Sequence, residues 1–442
     1  MSNTDTFSRL FFITALVLLV FGIFMGSMAS HSYILPGFWK DSLNFTQLRA
    51  LHVTSVTSWI LMSATACVFF AMGKIAVKAP FRWLTSLQWA LWTIALGGIF
   101  ICYFRGIFGG REYWEFPAKY ALLIAASWVI FLFQYIRSMR GGGPWPVYKW
   151  MWLTGICFFL VTFCEGYLWK LGFFEDSIVK DMTVQWKSNG SLVGSWNQLV
   201  YGIGIYLMCD ITGDDRYAKS RISFLLFFLG LFNLMFNWGH HIYTLPTAPY
   251  VRTISYAVSM TEWIILIRML RQWRLSLASS SLWNSTPSRR FLAASELWIF
   301  ANLLLAILMS VPAINLYTHG THITVAHSMG TTIGINTMIL LAALFHFFNF
   351  DQKIPKIKVS FWIMNCSLMA FWIALIAAGI HKGVWQMEHP RASFQEMMTD
   401  LYPYFMLFTV TGSILLLSIT SLVLAFFVAW LGPQKSPKNA IQ

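Results

Sequence analysis

Charge is what this sequence has least of. Only 11% of its 442 residues are Asp, Glu, Lys or Arg, while 57% are hydrophobic. Soluble domains carry roughly 25% charged residues, so a set of such domains is excluded. Cysteine is also scarce: the six (Cys67, Cys102, Cys157, Cys164, Cys209 and Cys366) are scattered, and no two are spaced CxxC. That leaves no disulfide framework and no CXXCH signature for covalent haem attachment. No small-residue cleavage site follows the first apolar run, Leu10–Met28, so the run is expected to be a retained span and not a signal peptide. Acidic residues are outnumbered by basic ones, 17 to 31, giving a net charge of +14. The basic residues cluster at the ends of apolar runs. Their distribution points to membrane topology and anionic headgroups, with no nucleic-acid partner.

What is present is a series of long apolar runs. A membrane-crossing helix needs roughly 20 such residues, and about twelve runs satisfy this. They are Leu10–Met28, Arg49–Met72, Leu84–Phe104, Tyr120–Tyr135, Met151–Tyr167, Leu192–Cys209, Ile222–His241, Ile254–Leu270, Leu292–Ile314, Thr318–Phe348, Phe361–Ile380 and Tyr404–Leu431. The expectation is an all-α, multi-pass membrane protein forming a single integral domain over residues 1–442. Lys170–Asn189 is expected to be a long polar loop, and Arg271–Arg290 a basic, serine-rich one. Alternate loops on one side carry about 20 of the 31 Lys and Arg residues. The positive-inside rule then puts both termini in the cytoplasm.

With that topology, His31, His52, His240, His241, His319, His322 and His327 fall in or near the outward half. Ionisable groups within spans are costly and are functional candidates by default. In Thr318–Phe348, His327 and Met329 are two residues apart. Two residues advance a helix by about 200°, so the two side chains leave on opposite faces. Each could ligate a different metal centre, since imidazole and thioether both serve as axial haem ligands. Neighbouring helical residues differ by about 100°. His240 and His241 can therefore reach one metal only if it lies between their directions or if the helix loosens, which Pro246 favours. Glu262 lies inside an apolar run and must be neutral, paired or metal-bound. Two His and one carboxylate form an iron(II) set. Glu165 is a second acid within a span. Arg49 precedes His52 by three residues, so both share a helical face, where a cation could pair with a haem propionate. Arg111, Glu112 and Glu115 sit in a loop that could also hold propionates, and Glu112 could serve a hard cation such as Ca2+.

Taken together, Arg49–His52, GREYWEFP (Gly110–Pro117), ITGDD (Ile211–Asp215), GHHIY (Gly239–Tyr243), Glu262 and THGT…AH (Thr318–His327) resemble the catalytic membrane subunit of cytochrome-c-dependent nitric oxide reductases. These belong to the haem–copper oxidase superfamily, and the resemblance covers nearly the whole chain. It implies a twelve-helix subunit-I-like bundle in a bacterial cytoplasmic membrane, with two b-type haems and a non-haem iron. By position, His52 would bind the low-spin haem and His327 the high-spin haem, with Arg49, Arg111 and His319 also on the cofactors. His240 and His241 would bind the non-haem iron, Glu262 would be the buried acid beside it and the candidate catalytic residue, joining the iron's ligands where an imidazole is missing, and Glu112 would bind the calcium. The implied activity is reduction of NO to N2O, fed by a separate c-type cytochrome subunit of a respiratory chain.

The departures are specific. The family's third iron-binding His and two carboxylates fall on Gly190, Gly194 and Gln198, and its second low-spin haem His falls on Met329. Thioether can replace imidazole and raises the reduction potential, so the low-spin site is altered while the iron site is depleted. Two alternatives follow. One is a paralogue that carries electrons or binds a diatomic gas without the second metal. The other is a transporter with a histidine-lined pathway. An oxygen-reducing relative is disfavoured because the sixth span has no His–Tyr pair.

Overall fold

The computed structural model describes residues 3–268, 286–354 and 357–431. Most of the expected Arg271–Arg290 loop, Lys356 and the basic tail lie outside that set. The described secondary structure is helical apart from one isolated bridge, Arg111 to Trp114. In chain order the long helices are α1 (Asn3–His31), α2 (Phe45–Ile75), α3 (Arg82–Phe104), α4 (Lys119–Met139), α5 (Val147–Glu165) and α6 (Ile178–Thr212). They continue with α7 (Arg221–Phe236) and α8 (Pro249–Met260), which a turn at Thr261 links to a further helix over 262–268. α9 (Pro287–Ser310), α10 (His322–Phe347), α11 (Lys358–Glu388) and α12 (Tyr402–Leu431) complete the bundle.

Ten of these are long and apolar enough to cross a membrane. The exceptions are α6, diluted by Asn197, Gln198 and its polar first turns, and α8, which is short. With these two included, the bundle matches the expected twelve-helix architecture.

Local chemistry sets the ends. Asn44 accepts from the Gln47 amide while the Gln47 side chain accepts from the Asn44 amide, a capping box that starts α2. Proline occupies the first turn of α8 and of α9, where its missing N–H costs nothing. α6 ends at Gly213, whose φ of +67° is left-handed and suits glycine.

Inside a bilayer, helices associate through close packing and hydrogen bonds because lipid is as apolar as leucine. α1 lies along α2, α5 along α6, and α11 along α12. α2 and α10 are the most enclosed spans, and α7 and α12 are among the least. A large core runs through the bundle around Trp59, Trp128, Trp152 and Trp298. A smaller one, built on Ala326, Ala374, Leu375, Phe405 and Phe408, joins α10 to α11 and α12.

Two expectations need correction. Lys170–Asn189 is not a loop throughout: from Ile178 onward it is the first part of α6. Nor is Thr318–Phe348 one uninterrupted α-helix. It starts at His322, after Gly320 with φ +72°, and is a π-helix over Gly330–Thr337. The cause lies in its neighbours. A Cβ on Gly330 would come within 2.3 Å of the Asn302 side chain, and one on Gly334 within 2.5 Å of Trp298. α9 therefore presses directly on the backbone of α10. The Thr337 hydroxyl donates to the Thr332 carbonyl five residues back and accepts from the Trp59 indole at 3.0 Å.

Candidate functional site

His52 is positioned by α1. Its Nδ1 is 2.7 Å from the Gly22 carbonyl, so the neutral ring carries its proton there and Nε2 keeps the lone pair. Such a second hydrogen bond is the usual means of orienting a ligating imidazole. The approach depends on glycine, because a Cβ on Gly26 would stand 2.5 Å from His52 Nδ1.

His327 and Met329 both lie in the α-helical first part of α10, before the π segment. Met329 packs at the edge of the small core with Tyr33, Trp372 and Tyr404. His327 is not part of that core, and its Nδ1 is buried without a hydrogen-bonding partner. The two side chains therefore serve different neighbourhoods, as their spacing predicted.

His240 and His241 lie on a 3-10 segment, Asn237–Ile242, so the helix does change pitch there. Their ring centroids are 4.2 Å apart at 45°. His241 is stacked on Trp186 of α6, 5.1 Å between centroids and 12° between planes. Trp186 also meets His319 edge-on at 6.4 Å. The Asn315 amide donates to the His240 carbonyl at 3.1 Å, which ties this segment to the stretch after α9. Nδ1 of His240, His322 and His327 is buried without a hydrogen-bonding partner. Sequence reasoning missed Trp186 because its segment read as loop.

Glu262 is engaged by Asn237, whose amide donates to Oε1 at 3.4 Å. Among the described residues no three His, Cys, Asp or Glu side chains gather as a metal-ligand set. His240, His241 and Glu262 therefore do not converge here. The depleted positions on α6 face α7 and its continuation. A Cβ on Gly190 would lie 3.1 Å from Trp238 Cβ and 3.6 Å from His241 Cδ2. One on Gly194 would collide with Leu234 at 2.1 Å, and Gln198 lies against Gly230.

The GREYWEFP loop folds back on itself, with the Gly109 and Gly110 amides both donating to the Glu115 carbonyl. A Cβ on Gly110 would sit 1.8 Å from the Trp114 carbonyl oxygen, so glycine is required. Arg49 ion-pairs with Glu115 and reaches Glu112 at 3.5 Å. Burial pushes the Glu115 carboxyl up, against the pull of the Arg49 guanidinium. Arg111 pairs with Asp181 of α6 at 2.8 Å and stacks over Trp169 at 4.2 Å. Glu165 is not an isolated acid either, because Lys187 pairs with it. At the opposite end of the bundle, Asp210 takes Lys74 at 2.9 Å and His346 at 2.9 Å, a cluster with no sequence motif to announce it.

Neutral imidazoles with fixed or free ring nitrogens at His52 and His327 fit axial haem ligation. The second-metal position fits less well, since glycines of α6 packed against Trp238 and against Leu234 of α7 stand where further ligands are needed.

The family described as Cytochrome C and Quinol oxidase polypeptide I matches residues 6–414. A nitric oxide reductase subunit from Stutzerimonas stutzeri is 22% identical, over 96% of this chain and 94% of its own. Cytochrome c oxidase subunit 1 of Rhodobacter capsulatus is 21% identical, over 91% of this chain and 80% of its own. A solved haem–copper terminal oxidase shares the fold with a TM-score of 0.75 at 17% identity, covering 99% of this chain and 86% of that one. With more than half its length matched by the family, and with its multi-pass helical bundle, this chain belongs to the haem–copper oxidase subunit I family.

Proposed function

We propose that this chain is a nitric oxide reductase-like oxidoreductase, reducing NO to N2O and water in a bacterial cytoplasmic membrane. The observation that carries the reading is His240 set beside His241, with Trp186 packed against both His241 and His319, and with His52 oriented elsewhere by Gly22. The relative from Stutzerimonas stutzeri, aligned along almost its entire length, supports the same branch.

Two b-type haems, on His52 with Met329 and on His327, would supply electron transfer and a binding position for the gas: 2 NO + 2 e− + 2 H+ → N2O + H2O. The residues do the rest. Gly22 holds the His52 tautomer, and Met329 sets a higher potential than a second imidazole would. Glu262, which accepts a hydrogen bond from Asn237, is the proposed source of a proton for the reaction. Arg49 and Arg111 supply positive charge for haem propionates, although Glu112, Glu115 and Asp181 already engage them. Glu112 as a calcium ligand would have to yield its contact with Arg49. The positive-inside pattern puts both termini in the cytoplasm, and a separate c-type cytochrome on the outer side is the expected donor.

A second reading is an electron-carrying or gas-binding paralogue within a larger respiratory complex. The packing of Leu234 into the space beside Gly194 favours it. The deciding experiment is haem quantitation and NO turnover on purified protein with an artificial electron donor. Two haems per chain with N2O formation supports the first reading, and haem without turnover supports the second. Glu262→Gln should cut turnover by about 100-fold or more, the scale of general acid catalysis, with haem content unchanged. Equal turnover would remove Glu262 from the mechanism.

A further inference from the structure

The side chains packed around His240 and His241 do not suit a metal ion. A zinc site takes four ligands, and an iron(II) facial site takes two His and a carboxylate. Here α6 presents an indole, two glycines and the Gln198 amide, with no imidazole or carboxylate. Trp186 lies flat on His241. Gly190 is backed by Trp238, and the side chain of Leu234 fills the space that any residue larger than glycine would need at position 194. Glu262 does not complete a cluster with the two imidazoles and is instead bonded to Asn237. The space that larger side chains would occupy at positions 190 and 194 is packed.

What remains is polar and half-buried. The two imidazoles are 4.2 Å apart between centroids, and Nδ1 of His240 has no hydrogen-bonding partner. Trp186 fixes the plane of His241, and Asn315 fixes the backbone of His240. A buried ring nitrogen without a partner is costly, and the cost is relieved when a polar ligand arrives. N–H donors preorganised in a water-poor site stabilise charge that develops on such a ligand.

We propose that this chain has no second metal opposite His327, and that His240 and His241 form a metal-free pair hydrogen-bonding a diatomic ligand in its place. The pair deepens the proposed haem chemistry and rests on it. Trp186 is a positioning residue for the pair.

The test uses the full-length protein purified from membranes. Iron, copper and zinc are measured alongside haem, and the C–O stretch is recorded on the reduced protein with carbon monoxide as the probe. The expected result is one iron per haem with no stoichiometric copper or zinc. His240→Ala and His241→Ala should leave that ratio unchanged while shifting the C–O stretch. A further metal ion per chain, lost in either variant, would overturn the inference while leaving the haem reading intact. A C–O stretch identical in wild type and both variants would also overturn it. If a variant fails to fold, the wild-type metal ratio and the C–O shift in Trp186→Phe keep the inference exposed to disproof. Colourless protein would sink both readings, because the ligand would then have no seat facing the pair.

Discussion

Glycine means opposite things on two sides of this bundle. Between α1 and α2, Gly26 is clearance: its missing side chain lets the His52 ring lie against the α1 backbone, where Gly22 orients it. Where α6 faces α7 and the segment after it, Gly190 and Gly194 are contact points, and Trp238 and Leu234 pack onto them. One face gives an imidazole room, and the other is filled by Trp238 and Leu234.

Substitutions can break or sharpen that contrast. The largest effect is expected from Gly26→Val, which forces carbon into the His52 ring. Haem content should fall by about half, on top of the roughly 1–3 kcal/mol typical of overpacking. Normal haem content by pyridine haemochrome would mean His52 is not held as described. On the other face, Gly194→Glu alone should also overpack, whereas Gly194→Glu with Leu234→Ala should fold and take up a divalent ion beside His240 and His241. Elemental analysis decides it, and a double variant that binds no metal would show that packing is not what keeps the ion out. Met329→His should lower the low-spin haem potential and alter its optical spectrum. An unchanged spectrum would remove Met329 as a ligand.

The smallest effect belongs to the exposed turn before α7. Hydrogen bonds from Arg216 hold the Asp214 carboxyl down to about 2. A depressed folded-state pKa contributes stability above the ordinary value of about 3.9, lost as pH falls through 2. Asp214→Asn should therefore flatten the acid limb of the melting curve slightly and do little at neutral pH, where solvent screens the pair.

Much of this was legible in the sequence, for reasons that differ by residue. The helices follow from apolar runs that only a bilayer or a buried core can accommodate. The opposite faces of His327 and Met329 follow from helical pitch, and the unwinding at His240–His241 was foreshadowed by Pro246. Other features depend on partners far away in the chain. The first turns of α6 look polar in isolation, because Asp181 and Lys187 reveal their role only once Arg111 and Glu165 are beside them. Trp186 reads as an ordinary aromatic until it is found flat on His241. The cluster of Lys74, Asp210 and His346 joins residues 136 positions apart in each pair and leaves no local trace.

The π segment Gly330–Thr337 has a mechanical consequence for the whole molecule. Each extra residue in a helix rotates the turns beyond it by about 100°, so this segment acts as a phase shifter between the two halves of α10. The half bearing His327 and Met329 is indexed separately from the half that ends at His346. Removing a single residue there would leave each half intact yet turn one against the other, pointing His327 and Met329 at the wrong neighbours.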